Sequence, residues 1–255
     1  MKRALIRRPS PRITEGIVTH IERQPVDFSL AREQWDGYVR AVEAAGWETI
    51  EVPGGEDFPD GAFIEDTMVV YRDLAVMARP GAEARRPEVA EAEKVVEGLG
   101  YSVGRIESPG TLDGGDVLKV GGTVYVGRGG RTNEEGVGQL REALAPAGAT
   151  VVGVPVTKVL HLKSAVTALP DGSVIGYPPL VDDPSPFPRF VAVPEESGSH
   201  VVLLGENRLL MAADCPESAG QFASMGYEPV TVDIGEFQKL EGCVTCLSVR
   251  LRGVG

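Results

Sequence analysis

The chain has 255 residues, 42 % of them hydrophobic, and a formal net charge of −12 at pH 7. Its length and apolar content suffice for a sizeable core, and its acidic balance argues against a nucleic-acid partner, because phosphates attract Lys and Arg. The basic start MKRALIRRPS lacks the apolar core of a signal peptide, and no apolar run approaches membrane length, so we expect a cytoplasmic protein without a membrane partner.

One pattern occurs four times along the chain: an amphipathic helix ends at a glycine, and a short β-branched strand follows. In each copy, apolar residues recur at helical spacing and the glycine occupies the C-cap position. Radial repetition of small sheets, as in propellers, would accommodate such an α/β repeat. The copies are VRAVEAAGWETIEVPGG, EKVVEGLGYSVGRIESPG, LREALAPAGATVVGVPV and GQFASMGYEPVTVDIG, with the glycines Gly46, Gly100, Gly148 and Gly226.

The segment 177–200 breaks this pattern, because it is rich in proline and acidic residues. We expect it to be a longer connection, after which a fifth unit begins at HVVLLGENRLLMAA, residues 200–213. No position resembles a domain boundary, so residues 1–255 are predicted to form a single catalytic domain.

Potentially reactive side chains occupy related places in successive repeats. Glu65 and Asp66 follow the glycine of the first repeat by nineteen and twenty residues, and Cys246 follows that of the last by twenty. Asp113 and His161 each follow the glycine of their own repeat by thirteen residues. Each lies near the start of a predicted strand, so repeats packed around a common axis would bring these side chains to one central point.

Cysteine, histidine and carboxylates together favour nucleophilic chemistry at an electrophilic carbon. A thiolate attacks, a histidine moves protons, and a carboxylate orients the histidine or binds a cationic substrate. Several acids suit a planar cation such as a guanidinium, which takes paired hydrogen bonds from carboxylates. They suit an ester or amide carbonyl poorly, because a developing oxyanion needs hydrogen-bond donors.

Each of these residues also has a purely structural interpretation. Cys246 fits a buried strand position, and His161 fits a hydrogen-bonded core histidine. Asp113 and Asp116 fit a Gly-Gly turn, and the pair at 65–66 fits a solvated loop edge. Their matching placement in successive repeats favours one shared site over separate coincidences.

The stretch EGCVTCLSVR, residues 241–250, holds Cys243 and Cys246 at C-x-x-C spacing. A zinc knuckle needs a second pair of ligands, which Cys215 and three scattered histidines do not offer. A thioredoxin-like pair begins a helix, whereas LSVRL alternates as a strand does. We therefore expect Cys246 to be the nucleophile and the pairing to be incidental, with Cys243 on the opposite strand face or in the loop before it.

With these residues assembled, the sequence resembles the dimethylarginine dimethylaminohydrolases, a branch of the guanidine-modifying superfamily. The resemblance runs from RALIRRPS to the C terminus and rests on FIEDT, TLDGGDVL with the following GRGGRTN, LHLKSAV and TCLSVR, in this order and spacing. It implies the pentein fold, a fivefold pseudosymmetric α/β propeller of ββαβ units around a central active site. It also implies a cysteine-dependent hydrolase that needs no metal and no organic cofactor.

The resemblance implies a role for each matching position. Cys246 would be the nucleophile, His161 the general acid and base, and Asp113 the acid that accompanies the histidine. Asp66 would bind the substrate guanidinium, beneath a lid formed by residues 13–29. The amino-acid end of the substrate would contact Asp60, Glu65, Arg85 (or the adjacent Arg86), Arg131 and the backbone of Ile17 and Leu240.

Two positions separate this branch from its relatives. Arginine and agmatine deiminases carry an aspartate two residues after the histidine and usually a histidine before the cysteine, where this chain has Lys163 and Thr245. A dimethylated nitrogen has no hydrogens for that aspartate to bind, so the resemblance favours Nω-methylated L-arginines as substrates and L-citrulline as product. A deiminase-like enzyme or an amidinotransferase is the alternative, and a non-catalytic propeller that binds a partner is less favoured. A monomer and a homodimer are both compatible with the sequence.

Overall fold

The computed structural model describes residues 2–251, whose strands form five sheets of three strands each. The first unit holds β1 (Arg3–Ile6), α1 (Phe28–Ala44) and β2 (Glu48–Glu51), and the second holds β3 (Met68–Tyr71), β4 (Leu74–Met77), α2 (Val89–Gly98) and β5 (Ser102–Arg105). The third holds β6 (Val117–Val120), β7 (Thr123–Arg128), α3 (Glu134–Leu144) and β8 (Thr150–Pro155). The fourth holds β9 (Val166–Ala168), β10 (Val174–Gly176) and β11 (Phe190–Ala192), and the fifth holds β12 (Val202–Leu203), β13 (Arg208–Ala212), α4 (Pro216–Ser224) and β14 (Glu228–Val232). The described chain ends with α5 (Gly235–Gln238) and β15 (Val249–Leu251).

Every sheet has the same internal order. Its first strand runs antiparallel to the middle strand, and its last strand runs parallel to the middle one, as in the register Val69↔Val76 between β3 and β4 and Val76↔Gly104 between β4 and β5. In the first sheet β15 takes the first position and pairs antiparallel with β1, so strands from the two ends of the chain close the ring. This order confirms the predicted fivefold α/β propeller of ββαβ units.

The first strands of the five sheets, β3, β6, β9, β12 and β15, surround a central channel, since residues from all five line one cavity. A short turn precedes each of these inner strands, and neighbouring turns bond to each other. The Glu65 amide donates to the carbonyl of Cys246 at 3.1 Å, and the Gly115 amide donates to the Asp66 carboxylate at 2.9 Å. The turns therefore form a connected layer across the channel.

The glycines that follow four of the helices adopt the conformation predicted for helix C-caps. Gly46, Gly100, Gly148 and Gly226 have φ angles of 81°, 86°, 74° and 91°. Glycine populates this left-handed region without a steric penalty because it has no Cβ. At the start of α1 the side chain of Asp27 accepts hydrogen bonds from two backbone amides, which stabilises that end as well.

The segment 177–200 shows where the prediction of a long connection was wrong. It has two short 3-10 helices (Pro178–Leu180 and Ser197–Ser199) but no α-helix, and prolines cannot supply the N–H groups that an α-helix interior needs. It nevertheless contains β11, which pairs parallel with β10 through Val174↔Phe190 and completes the fourth sheet. The predicted start of a fifth unit near His200 is confirmed, because β12 begins two residues later.

Helix α1 anchors the catalytic end of the chain from outside the ring. Its buried side chains Ala31, Trp35, Tyr38 and Val42 recur at helical spacing and form one apolar face. The Tyr38 hydroxyl lies 2.7 Å from the Ser248 hydroxyl, which directly precedes β15. None of the helices within residues 2–251 is long and apolar enough to cross a membrane.

Candidate active site

The turns that precede the inner strands enclose a small cavity of about 20 Å³ at one end of the channel. Eight of the ten residues predicted for the site line it, and Asp113 lies directly behind them, bonded to His161. Because these residues come from distant parts of the sequence, their meeting is a consequence of the ring closure. The lining residues are Ile17, Asp60, Phe63, Asp66, Arg85, Arg131, Leu160, His161, Leu240, Glu241, Gly242 and Cys246.

His161 is 3 % exposed, and its ring is held from behind by Asp113. Its Nε2 lies 3.0 Å from Asp113 Oδ2, while its Nδ1 lies 3.8 Å from Asp66 Oδ1, too far for a hydrogen bond. Asp113 is itself fixed, because its other oxygen accepts from the Gly81 amide at 2.9 Å. Burial lowers the pKa of His161, but the nearby carboxylates of Asp66, Asp113 and Asp116 outweigh it and raise the pKa to about 9. At neutral pH the imidazole is therefore protonated.

Asp66 is the carboxylate at the centre of the cavity. Its Oδ1 accepts from the Gly115 amide at 2.9 Å, and its Oδ2 accepts from Arg85 Nη1 at 2.5 Å. Burial raises the pKa of Asp66, but the charges of His161 and Arg85 outweigh it and lower the pKa to about 2. A Cβ on Gly115 would lie 2.6 Å from His161 Nδ1 and 2.7 Å from Asp66 Oδ1, so only glycine fits between these two groups.

Within residues 2–251 the groups spaced to hold a metal ion are Asp66, Asp113 and His161, whose ligand atoms lie within 4.8 Å of one another. Asp66 already pairs with the Arg85 guanidinium, and Asp113 already bonds to the histidine ring. Asp113 is thus hydrogen-bonded to His161, whereas Asp66 lies near the same ring without a hydrogen bond to it.

The two arginines of the cavity differ in how many partners they have. Arg85 is 4 % exposed and bonds to Asp66, to Glu88 and to backbone carbonyls. Arg86 instead pairs with Glu83 and is absent from the cavity lining, so the choice between the two arginines falls on Arg85. Arg131 is 8 % exposed, and among the described residues no hydrogen-bond partner faces its Nη1, which lies 3.8 Å from Asp113. Arg131 therefore offers an unused donor to an anionic group.

The loop 13–29 covers the cavity and is held by three acids, of which Glu236 accepts from the Asp27 amide at 2.8 Å. Asp60 accepts from the Ile17 amide at 3.0 Å. Glu241 accepts from the amides of Thr19 and His20 at 2.6 and 2.8 Å. These contacts place Ile17 in the cavity wall, as the predicted lid requires, and they make Glu241 its second anchor.

The structure corrects the expectation for the C-x-x-C motif. Residues 243–246 form a turn, closed by a hydrogen bond from the Cys246 amide to the Cys243 carbonyl at 3.1 Å, and the strand begins later, at Val249. The two side chains therefore share one side, and their sulfurs lie 3.4 Å apart. The hydrogen bond between them lowers the pKa of Cys243 to about 5 and raises that of Cys246, whose burial adds to the rise.

Glu65 is the predicted substrate-binding residue that the structure does not place in this cavity. Its Oε1 accepts from Lys163 Nζ at 2.6 Å and from Arg250 Nη2 at 2.8 Å. Glu65 and Asp66 are adjacent in a short 3-10 turn, so their side chains point to opposite sides of the layer of turns. Lys163 shares the side of Glu65 and is likewise absent from the lining of the active-site cavity.

Sequence reasoning missed Asp116 as a residue of the site, although it noted its turn. Asp116 accepts from the Leu162 amide at 2.9 Å and from the Thr132 hydroxyl at 2.6 Å, and it thereby fixes the turn that carries His161. Burial raises the pKa of Asp116 to about 6. The signal was a second acid in TLDGGDVL, three residues after Asp113, beyond what a Gly-Gly turn needs. Glu241 gave no comparable signal, since only the folded loop shows its two amide contacts.

A buried cysteine, histidine and aspartates at the centre of a fivefold propeller define a catalytic member of the pentein class. The N-terminal domain of ArgZ, an arginine dihydrolase, has the same fold, with a TM-score of 0.88 at 19 % identity over 98 % of this chain and 97 % of that one. No sequence-family profile matches the chain.

Relatives of known name narrow this class. The chain is 66 % identical over 251 residues to the N(G),N(G)-dimethylarginine dimethylaminohydrolase of Streptomyces coelicolor, covering 98 % of this chain and 97 % of that one. It is 34 % identical over 254 residues to the Pseudomonas aeruginosa enzyme of the same name, covering 98 % and 99 %. A solved structure of the Pseudomonas aeruginosa protein, a cysteine-to-serine variant with citrulline, matches with a TM-score of 0.91 over 98 % of both chains at 32 % identity. The chain belongs to the dimethylarginine dimethylaminohydrolase family and is a hydrolase.

Proposed function

We propose that this enzyme hydrolyses Nω-methylated L-arginines to L-citrulline and dimethylamine or methylamine. The observation that carries the proposal is the closed cavity in which Cys246 lies with Asp66 and His161. Two related structures support it: the Pseudomonas aeruginosa protein holds citrulline, and a histidine-to-glycine variant of a dimethylarginine dimethylaminohydrolase holds an adduct with S-methyl-L-thiocitrulline.

Substrate binding would use the charges of the cavity. Asp66 would accept from the guanidinium, since a carboxylate has about four lone-pair sites and two here are engaged. The unused donor of Arg131 would bind the substrate carboxylate, with Arg85 beside it. The lid amide of Ile17 would face the amino-acid end. A cavity of about 20 Å³ holds about one water, so the loop 13–29 must open to admit substrate.

Cys246 Sγ would attack the central guanidinium carbon as a thiolate. In the free site, the hydrogen bond with Cys243, burial and the nearby carboxylates of Glu65 and Asp66 raise the pKa of the Cys246 thiol. A bound guanidinium brings a positive charge next to the sulfur and opposes those carboxylates, which favours the thiolate. Substrate binding would thus activate its own nucleophile.

His161 would supply the proton for the leaving amine. Because its pKa is raised to about 9, it is protonated at neutral pH when the tetrahedral adduct forms. Proton transfer releases dimethylamine or methylamine and leaves a covalent S-alkylthiouronium on Cys246. The neutral imidazole would then take a proton from water, which attacks the thiouronium carbon and releases L-citrulline. Asp113 would hold the ring throughout, and this chemistry uses no metal and no organic cofactor.

The methylated substrate is favoured over arginine by what lies beside the leaving nitrogen. Position 163 is a lysine in this chain, whereas the deiminases have an aspartate there. The Lys163 side chain points away from the active-site cavity and forms an ion pair with Glu65. The leaving nitrogen would therefore meet no second carboxylate, and a dimethylated nitrogen has no hydrogen that would need one.

The proposal is tested by incubating the purified protein with dimethylarginine, monomethylarginine, arginine and agmatine, and measuring citrulline and each released amine. We expect citrulline with dimethylamine or methylamine, and far slower release of ammonia from arginine or agmatine. Preferred release of ammonia would identify a deiminase, and transfer of the amidino group to an added amine would identify an amidinotransferase. Either result would overturn the proposal.

A further inference from the structure

A second cavity lies on the other side of the layer of turns and is enclosed by all five inner strands. We call it the far cavity. Its volume is about 360 Å³, against about 20 Å³ for the active-site cavity. Adjacent residues divide between the two: Asp66 and Cys246 line the active site, while Glu65 and Thr245 line the far cavity. The two cavities are therefore separated by one layer of backbone.

Among the described residues that line the far cavity, four side chains are cationic and one is a carboxylate, although the chain as a whole carries a charge of −12. Lys163 and Arg250 lie at the floor, where both donate to Glu65. Arg72 and Lys119 are exposed and lie at the mouth. Lys119 Nζ also donates to the Val70 carbonyl at 2.7 Å, and Glu65 is the one carboxylate among these lining residues, so cations outnumber carboxylates in the far cavity.

The floor favours an anion for a second reason. Lys163 is 9 % exposed, and its ammonium shares the Glu65 carboxylate with the Arg250 guanidinium, so two cations face one carboxylate among the residues that line the floor. Charges removed from water are stabilised only when they are paired. The walls between floor and mouth are apolar and include Val70, Leu118 and Val202.

We propose that the far cavity binds a small organic anion that carries phosphate or carboxylate groups. Its charged groups would meet Lys163 and Arg250 at the floor and Arg72 and Lys119 at the mouth, and its carbon skeleton would contact the apolar walls. Guanidinium and ammonium groups bind both kinds of anion with charge-assisted hydrogen bonds. The volume falls within the range of about 300–1,000 Å³ that ligand sites commonly have.

The test is calorimetric titration of the full chain with inorganic phosphate and, in a separate arm, with citrate, so that phosphate and carboxylate recognition are distinguished. The double variant Arg72→Gln, Lys119→Gln removes the mouth cations, and Arg40→Gln, Lys94→Gln removes two exposed cations of the same kinds elsewhere. We expect saturable binding of at least one anion, weakened at least about tenfold in the mouth variant and less than about twofold in the control. Equal thermal midpoints would establish that both variants fold.

Three outcomes would overturn the proposal. One is the absence of saturable binding of either anion to the wild type. Another is equal weakening in both double variants, which would reduce the effect to net charge. The last is competition by L-citrulline, which would place the anion in the active site. Because the readout is binding, failure of the proposed hydrolysis would leave this test intact.

A different observation, the contact between the two sulfurs of the C-x-x-C turn, carries a second inference. A β-turn holds the Cα atoms of its first and last residues within 7 Å, which overlaps the separation that a disulfide spans. Cys243 and Cys246 begin and end such a turn, and their sulfurs are 3.4 Å apart. Both are free thiols in this structure.

The two sulfurs are reached by different routes. Cys246 borders the active-site cavity, whereas Cys243 borders a separate cavity of about 360 Å³ whose lining includes His20, Lys158 and His200. The hydrogen bond from Cys246 and the charge of His200 lower the pKa of Cys243, which favours its thiolate. An oxidant can therefore meet a reactive sulfur without entering the active site.

We propose that a hydroperoxide converts this pair to a reversible disulfide that switches off the nucleophile; the loss of activity rests on the proposed function of Cys246. The Cys243 thiolate would attack hydrogen peroxide and, with one proton taken up from solvent, form a sulfenic acid and one water. The Cys246 thiol would then attack that sulfur, expelling a second water and closing the S–S bond. The peroxide is reduced and the two thiols are oxidised, and a dithiol would reverse the step.

Mass spectrometry of the intact protein after limited hydrogen peroxide tests this step independently of activity. The wild type should lose the mass of two hydrogens and its activity, and dithiothreitol should restore both. Cys215→Ala, which removes a buried cysteine outside both cavities, should give the same result as the wild type, whereas Cys243→Ala should show no loss of two hydrogens. Oxygen gain by the wild type, or hydrogen loss by Cys243→Ala, would overturn the disulfide. A mass change as expected without any hydrolytic activity would instead contradict the proposed function alone.

Discussion

The two ends of the central channel are built from the same turns, yet they have opposite character. The catalytic end is a small cavity of about 20 Å³ with aspartates around a histidine and a cysteine. The far end is larger, about 360 Å³ in volume, and cationic. Asp66 lines the cavity at one end and Glu65 the cavity at the other. Adjacent residues of one turn therefore contribute to two chemically different cavities.

This comparison shows how the fold confines a strongly charged site. Asp66 and His161 interact through space, and each shifts the pKa of the other in the direction that keeps both ionised. On the far side, Glu65 pairs with Lys163 and Arg250. If this division is correct, substitutions at the catalytic end should have large effects and substitutions at the far end small ones.

The largest expected effect follows from Cys246→Ser. Loss of the thiolate should reduce citrulline formation at least about 10³-fold, as for other enzymes that lose a nucleophile. The measurement is steady-state citrulline formation from dimethylarginine. The matched control is Cys215→Ser, which makes the same change in a buried cysteine that donates to the Ala212 carbonyl, away from the cavity. Substantial activity in Cys246→Ser would show that the nucleophile lies elsewhere.

The next effect concerns the pH dependence of stability. The pKa of His161 is raised from 6.5 to about 9 in the folded protein, so folding favours its protonated form. This contribution is present in full below pH 6.5 and is lost as the pH rises through 9, and it amounts to about 3 kcal/mol.

We therefore expect the free energy of unfolding of the wild type to fall by about 3 kcal/mol more than that of His161→Gln between pH 6 and 10. Denaturant titrations at several pH values measure both. His200→Gln is the control, because it replaces a part-buried histidine outside the active-site cavity and should keep the wild-type slope. Parallel curves for the wild type and His161→Gln would mean that the carboxylates do not stabilise the imidazolium.

A third effect tests the spacing between Asp66 and His161. Gly115→Ala would place a Cβ 2.6 Å from His161 Nδ1 and 2.7 Å from Asp66 Oδ1, so both groups must move. Displacements of this size cost about 10²-fold in turnover, which steady-state kinetics with dimethylarginine would measure. Gly122→Ala is the control, because nothing lies within 4 Å of its Cβ. Equal turnover in the two variants would indicate that the separation of Asp66 and His161 is not critical.

Much of this architecture was predictable from local sequence. Repeated helix-to-glycine boundaries predicted the units, and the four glycines do adopt positive φ angles. Asp113 and His161 each lie thirteen residues after the glycine of their repeat, and Asp66 and Cys246 each lie twenty after theirs, which predicted that these side chains would meet. Such inferences succeed because capping and strand order depend on near neighbours in the chain.

The features that could not be predicted depend on the direction in which a side chain points rather than on its position in the sequence. The sequence IEDT does not indicate that the Glu65 side chain points away from that of Asp66. The directions of adjacent side chains in a tight turn depend on the backbone geometry of the turn. Cys243 was expected on the strand face opposite Cys246 or in the loop before the strand, and the first alternative was wrong because residues 243–246 form a turn that precedes β15. The third strand of the fourth sheet, β11, was also missed. It is an edge strand that pairs only with β10, and edge strands tolerate the prolines that argue against a strand in the sequence.

The smallest effect is expected at the far end and completes the comparison. Arg72 and Lys119 line the mouth of the far cavity, and neither lines the active site. In buffer free of phosphate and carboxylate anions, the double variant Arg72→Gln, Lys119→Gln should keep turnover of dimethylarginine within about twofold of the wild type, because exposed charges at this distance are screened by solvent and salt. Gly115→Ala, assayed alongside, gives the loss of turnover expected from a disturbed active site. A loss of turnover in the double variant as large as in Gly115→Ala would mean that the mouth cations support catalysis. The layer of turns would then couple the two cavities electrostatically instead of separating them.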